Sequence, residues 1–144
     1  MRWFLLLFAS IVLLVSPALG EGPADTRPCM ANFSDSGSFL SGHAFKSFQE
    51  YPNSSKAATF DYLLTKIASK GYTIISHDKD AGLISATEHA TSSLNTVISE
   101  GKPTGVRVDI SFLGPSMAVI SDDDVRAEFC SILDGLPVNS SGGN

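Results

Sequence analysis

The chain has 144 residues with 43% hydrophobic content, enough for one domain to bury a core. Ten Lys and Arg stand against fifteen Asp and Glu, for a formal charge of −5. An acidic balance without a basic cluster argues against nucleic acid or an anionic membrane as partner, because both require cationic side chains to neutralise phosphates.

Residues 1–20 read as a secretory leader. Arg2 supplies the basic region, an apolar run extends from Trp3 to Val15 with only Ser10 interrupting, and Ala18-Leu19-Gly20 is a small-x-small cleavage site. A membrane anchor would need about 20 apolar residues, and Ser16 and Pro17 end this run first. Cleavage is expected before Glu21, and Glu21 occupies the place where a bacterial lipoprotein carries Cys. Arg2 leaves with the leader, so the mature chain of 124 residues would hold nine basic against fifteen acidic side chains, a charge of −6. It is expected to be soluble, secreted or periplasmic, and without stable membrane insertion. Asn-x-Ser sequons at Asn32, Asn53 and Asn139 would be used only in a eukaryotic secretory pathway.

Residues 21–37 are polar, Pro-containing and without period, which predicts an extended lead-in tied down near Cys29. Residues 38–50 set Phe39, Phe45 and Phe48 among small and polar residues and predict the first strand, with Gly42 permitting a bulge or a close approach. Residues 51–55 form a turn that delivers a helix cap. The strongest local signal is 56–88. Ala57, Phe60, Leu63, Leu64 and Ile67 recur at the helical period, Gly71 follows as a left-handed stop, and Lys66 and Lys70 sit where the helix dipole favours cations. Strands at 72–76 and 83–87 then flank the polar hairpin loop 77–82.

In residues 94–99, Leu94, Val97 and Ile98 fit either a short helix or an edge strand, and the β-branched content favours the strand. Over 106–112, Val106, Val108, Ile110 and Phe112 alternate with Arg107, Asp109 and Ser111, the period-two pattern of a strand with one wet face. Gly114-Pro115 predicts a turn and 117–121 a returning strand. Residues 121–136 predict the second helix, with Val125, Phe129, Ile132, Leu133 and Leu136 at helical spacing, Ser121 and Asp124 placed as a capping box, and Gly135 or Pro137 as its end. Residues 138–144 are a Ser/Gly-rich tail expected to be disordered. The order predicts a single α+β domain over 38–137. Its mainly antiparallel sheet of five to six strands would carry two helices on one face. Thr73, Ile75, Arg107, Asp109 and Ser111 include residues of the other face, either solvated or meeting a partner.

Cys29 and Cys130 are the two cysteines, and an even count in an exported chain favours a disulfide between them. The alternatives are a buried free pair or a thiol nucleophile, and no particular His is placed to activate either sulfur. His77, Asp78 and Asp80, with His43 or His89, invite a metal reading but lack ligand spacings such as HExxH, so a polar hairpin loop explains them better. Asp122, Asp123 and Asp124 lack the Gly and terminal Glu of an EF-hand loop, and helix capping accounts for them. Ser76 and Lys79 match SxxK in letters, whereas that chemistry needs a helix start and partner motifs absent here. No GxSxG, P-loop, GxGxxG or CxxC occurs. The sequence therefore assigns no catalytic, cofactor or metal site.

The FDYLLTKIASKGYTI passage and the DKDAGLISA hairpin within 60–88 resemble a pattern of small exported bacterial α+β domains, similar to the repeated domains of the outer-membrane assembly lipoprotein C family. VRVDISF and DDDVRAEFCSIL fit the same strand-then-helix ending, so the likeness covers 39–136. It implies a non-catalytic periplasmic or envelope interaction module with a protein partner and no catalytic residues. The chain departs from that family in lacking the lipid-bearing Cys and in having one domain. Two other readings are a small secreted hydrolase without a written motif and a soluble carrier of a small apolar ligand. A deep pocket of convergent polar groups would favour the first, an apolar cavity the second, and a flat sheet face the interaction module.

Overall fold

The computed structural model describes residues 25–136. The chain runs α1 (Pro28–Ala31), β1 (Ser34–Ser38), β2 (Gly42–Tyr51), α2 (Lys56–Ser69), β3 (Thr73–Asp78), β4 (Leu83–Thr87), β5 (Ser93–Glu100), β6 (Val106–Gly114) and α3 (Asp122–Leu133). The leader expected at 1–20 and the tail expected at 138–144 lie outside the described residues. No helix among the described residues is long and apolar enough to cross a membrane.

Six strands form one antiparallel sheet in the order β1-β2-β6-β5-β4-β3, an α+β fold. A hairpin (β1, β2) and a four-strand meander (β3 to β6) compose it. α2 carries the chain from β2 to the opposite edge, and the meander returns until β6 pairs with β2. The alternation over 106–112 decides which way the sheet faces. Val106, Val108, Ile110 and Phe112 are buried with Phe45, Ile84, Ala86, Leu94 and Ile98 beneath α2 and α3, which bring Phe60, Leu63, Ile67, Phe129, Ile132 and Leu133. Each such Val, Leu, Ile or Phe side chain contributes about 1.5–3 kcal/mol relative to exposure. The stripe of α2 is narrower than its period implied: its axis runs through Phe60, Leu63 and Ile67, so Ala57 at the margin is exposed and Thr59 is buried instead.

The helix ends follow local chemistry. Ser55 Oγ accepts from Ala58 N at 3.3 Å to start α2, Gly71 at φ +93° follows its end, and Ser121 Oγ accepts from Asp124 N at 3.3 Å to start α3. Gly42, at φ +87°, opens β2 where a Cβ would come within 2.7 Å of the Gly114 carbonyl oxygen, so it serves as a close approach.

Three expectations are corrected. Residues 94–99 belong to β5, which lies between β4 and β6 and is thus an interior strand rather than an edge. Residues 117–121 form no strand. β6 already has β2 on one side and β5 on the other, so no edge is free, and the chain must leave the sheet to reach the helical layer. The sixth strand is instead β1, inside the segment expected to be an extended lead-in, so the sheet begins at Ser34 rather than after 37. That segment also contains α1, with Pro28 in its first turn. Long-range contacts hold it. Cys29 and Cys130 form a disulfide with Cα atoms 5.3 Å apart, and the buried Ser47 hydroxyl donates to the Cys29 carbonyl at 2.7 Å. The Phe33 ring lies 5.9 Å from Phe45 and 6.0 Å from Phe129, under the Arg126 guanidinium at 4.6 Å. Arg27 pairs with Asp25 at 2.6 Å and also with Asp134.

Candidate functional site: an uncovered sheet face and a cleft beside the third helix

The strand pairing places the outward residues in rows. One row reads Lys46, Ser111, Asn95, Ser85 and Ser76 from β2 to β3, and the next reads Phe48, Asp109, Val97, Leu83 and Asp78. Among the described residues no helix covers these rows. Leu83, Val97 and Leu113 are 44%, 43% and 47% exposed, values that belong to a surface rather than to a core. The polar members are ordered by one another. The Arg107 guanidinium stacks 3.7 Å above the Phe48 ring centroid and donates to Asp109 Oδ1 at 2.7 Å; the bond to Asp109 holds its pKa above the ordinary guanidinium value. Ser85 Oγ donates to Asn95 Oδ1 at 2.7 Å across β4 and β5. Leu83 and Val97 lie side by side in the second row, and the polar row separates them from Leu113, so the face sets a small apolar pair among polar and paired charged groups.

On the covered side, at the Phe112 end of β6, a cleft of about 730 Å³ opens between α3, residues 115–121 and the loop 88–92. Its walls are held in place. Met117 N donates to the Phe39 carbonyl at 2.6 Å, with Met117 in the left-handed region at φ 63°, and the Ile120 side chain lies where Gly114 carries no Cβ. In the facing loop, Thr87 Oγ1 donates to the Ser92 carbonyl at 2.5 Å, and His89 N donates to Ser92 Oγ at 3.2 Å. Lys70 at the end of α2 pairs with Glu128 of α3 at 2.8 Å across the cleft wall. Burial pushes the Tyr72 phenol up to about 12, with Glu128 and Glu88 adding to the shift.

The residues singled out from sequence are dispersed. The His77 ring meets Phe60 at 6.0 Å. Asp78 Oδ1 accepts from Ala81 N at 2.9 Å, closing the hairpin loop, and the Asp80 carbonyl accepts from Lys56 Nζ at 2.5 Å. His43 stacks on Phe45 at 5.6 Å, and His89 is exposed on the loop 88–92. Among the described residues no group of three or more His, Cys, Asp or Glu is placed to hold a metal ion. Ser76 lies on β3, and Lys79 is paired with Asp61 at 2.7 Å. Asp122, Asp123 and Asp124 form the first turn of α3. Asn32 Nδ2 donates to the Phe48 carbonyl at 3.0 Å, Asn53 is exposed in the turn before α2, and Asn139 lies outside the described residues. Sequence reasoning missed the cleft, because Lys70 with Tyr72, Glu88 and Glu128 belong to three separate segments. The one available signal was the apolar run 117–120 between Pro115 and the Ser121 cap, which was assigned to a strand. Neither a protein-family model nor a curated protein sequence matches the chain.

Proposed function

We propose that the protein is an exported, non-catalytic interaction module that docks a partner protein on its uncovered sheet face. The observation that carries this is the half-exposed apolar pair Leu83 and Val97, side by side on β4 and β5, strands whose other face is packed. Exposed apolar side chains set within polar groups are in keeping with the anatomy of a protein interface. The mixture of Lys46, Arg107, Glu50, Asp109 and Asp78 on this face suits a protein surface better than a polyanion. The disulfide supports export to an oxidising compartment, and the resemblance to exported envelope domains agrees in kind. The test places a photo-crosslinking residue at Val97 in one variant and at Asp61, on the outer side of α2, in another, with the protein in its source organism. The expected outcome is a discrete adduct from Val97, none from Asp61, and loss of the adduct when Leu83→Lys is added. Equal labelling from both positions, or none from Val97, sinks the reading.

A further inference from the structure

The cleft beside α3 has the size of a small-ligand site, for which about 300–1,000 Å³ is usual, and its lining divides by chemistry. Phe112, Val125 and Phe129, all buried members of the core, form the apolar interior, and Ile120 extends it outward. Three carboxylates line it, from Glu88, Asp124 and Glu128, against a single ammonium, Lys70. Lys70 is committed to Glu128 at 2.8 Å, so among the described residues Glu88 and Asp124 are left without a close Lys or Arg; His89 Nδ1 approaches Glu88 only to 3.8 Å. The Tyr72 hydroxyl on the same wall has no hydrogen-bond partner among the described residues.

Uncompensated negative charge beside aromatic rings attracts a cation, and the apolar interior rewards an organic body attached to it. An anion is disfavoured, since Asp122, Asp123 and Asp124 already occupy the first turn of α3 and oppose the positive end of its dipole. Both walls are pinned by the hydrogen bonds of Met117, Thr87 and His89, so little ordering would be required on binding. We propose that this cleft binds an amphipathic organic cation, an ammonium group carried on an aromatic or alkyl body. The ammonium lies at the mouth with Glu88 and Asp124, and the body rests against Phe112 and Ile120. The site is on the covered side of the sheet and stands independently of the docking face.

Tryptamine is a suitable probe, with indole-3-propionate as an anion bearing the same ring. Titrated into the isotope-labelled protein, tryptamine is expected to cause saturable amide shifts confined to residues 88–92 and 115–128. It should bind at least about tenfold more tightly than indole-3-propionate and weaken as salt is added. The double variant Glu88→Gln with Asp124→Asn should lose about tenfold in tryptamine affinity while Asp35→Asn, on the distant β1, loses none. Absence of saturable shifts in these segments, equal affinity for the two probes, or an unchanged affinity in a double variant that melts like the parent overturns the proposal. Should the double variant unfold early, the probe comparison and salt dependence of the parent protein decide it.

Discussion

The two faces of one sheet are made by the same strands, often by adjacent residues, yet they do different work. Val108 is fully buried under the helices, and its neighbour Asp109 lies on the open side, paired with Arg107. On the covered side stability comes from packing and from the disulfide, which joins α1 to α3 across 101 residues. On the open side the same backbone ladder displays half-exposed side chains, whose removal is expected to leave the fold intact. The difference teaches that in this domain strand periodicity separates residues packed for folding from residues left on the surface.

The largest expected effect is on the covered side. Reducing the Cys29 to Cys130 bond releases a loop of about 100 residues, for which chain entropy gives up to about 4.7 kcal/mol. Denaturant melts of oxidised and reduced protein should differ by a large part of that, with new protease cuts between residues 25 and 33. Two alkylatable thiols in protein that was never reduced would remove the bond altogether. Next, Val108→Asp puts an unpaired charge among Val106, Ile98 and Ile110 and should cost about 4 kcal/mol, measured by the same melts. A smaller cost than that of Asp109→Ser would show that the faces had been assigned the wrong way round.

Tyr51 tests the covered side more gently. Its buried hydroxyl donates to the Leu133 carbonyl at 2.7 Å, so Tyr51→Phe should cost about 1–2 kcal/mol at neutral pH. It should also change the alkaline limb. Burial raises the phenol pKa of Tyr51, Tyr62 and Tyr72, the last to about 12, whereas unfolded phenols ionise near about 10. The folded state therefore holds protons that the unfolded state has released. The stability tied to these groups is complete below about pH 10 and declines as pH rises from there through the folded values. Melts between about pH 9 and 12 should fall, and fall less steeply in Tyr51→Phe. The smallest effect belongs to the open side. Val97→Ser and Asp109→Ser should each change stability by no more than about 0.5 kcal/mol while Val97→Ser weakens docking. A stability loss comparable to that of Val108→Asp would mean that this face is structural after all.

What could be read without coordinates was whatever repeats or caps locally. The Phe60, Leu63 and Ile67 stripe, the Gly71 stop, the Ser121 cap and the alternation over 106–112 all depend on neighbours within a few residues, and each appears in the structure. The cysteine pairing was legible for a different reason, since the chain contains two cysteines and they form a bond.

The sequence by itself determined the two long helices, most strands and the division of the sheet into a buried and a wet face, because periods of 3.6 and 2 are set by backbone geometry. Tertiary structure alone decided the rest. Whether 117–121 became a strand depended on a free edge, and β6 has none. Whether residues 25–38 were ordered depended on Phe45, Phe48, Phe129, Cys130 and Asp134, all distant in sequence. The cleft likewise exists only because Lys70, Glu88 and Glu128 meet once the meander and α3 are in place. Such meetings carry no local signature, since they arise from the closure of β6 on β2 and not from the residues on either side of each one.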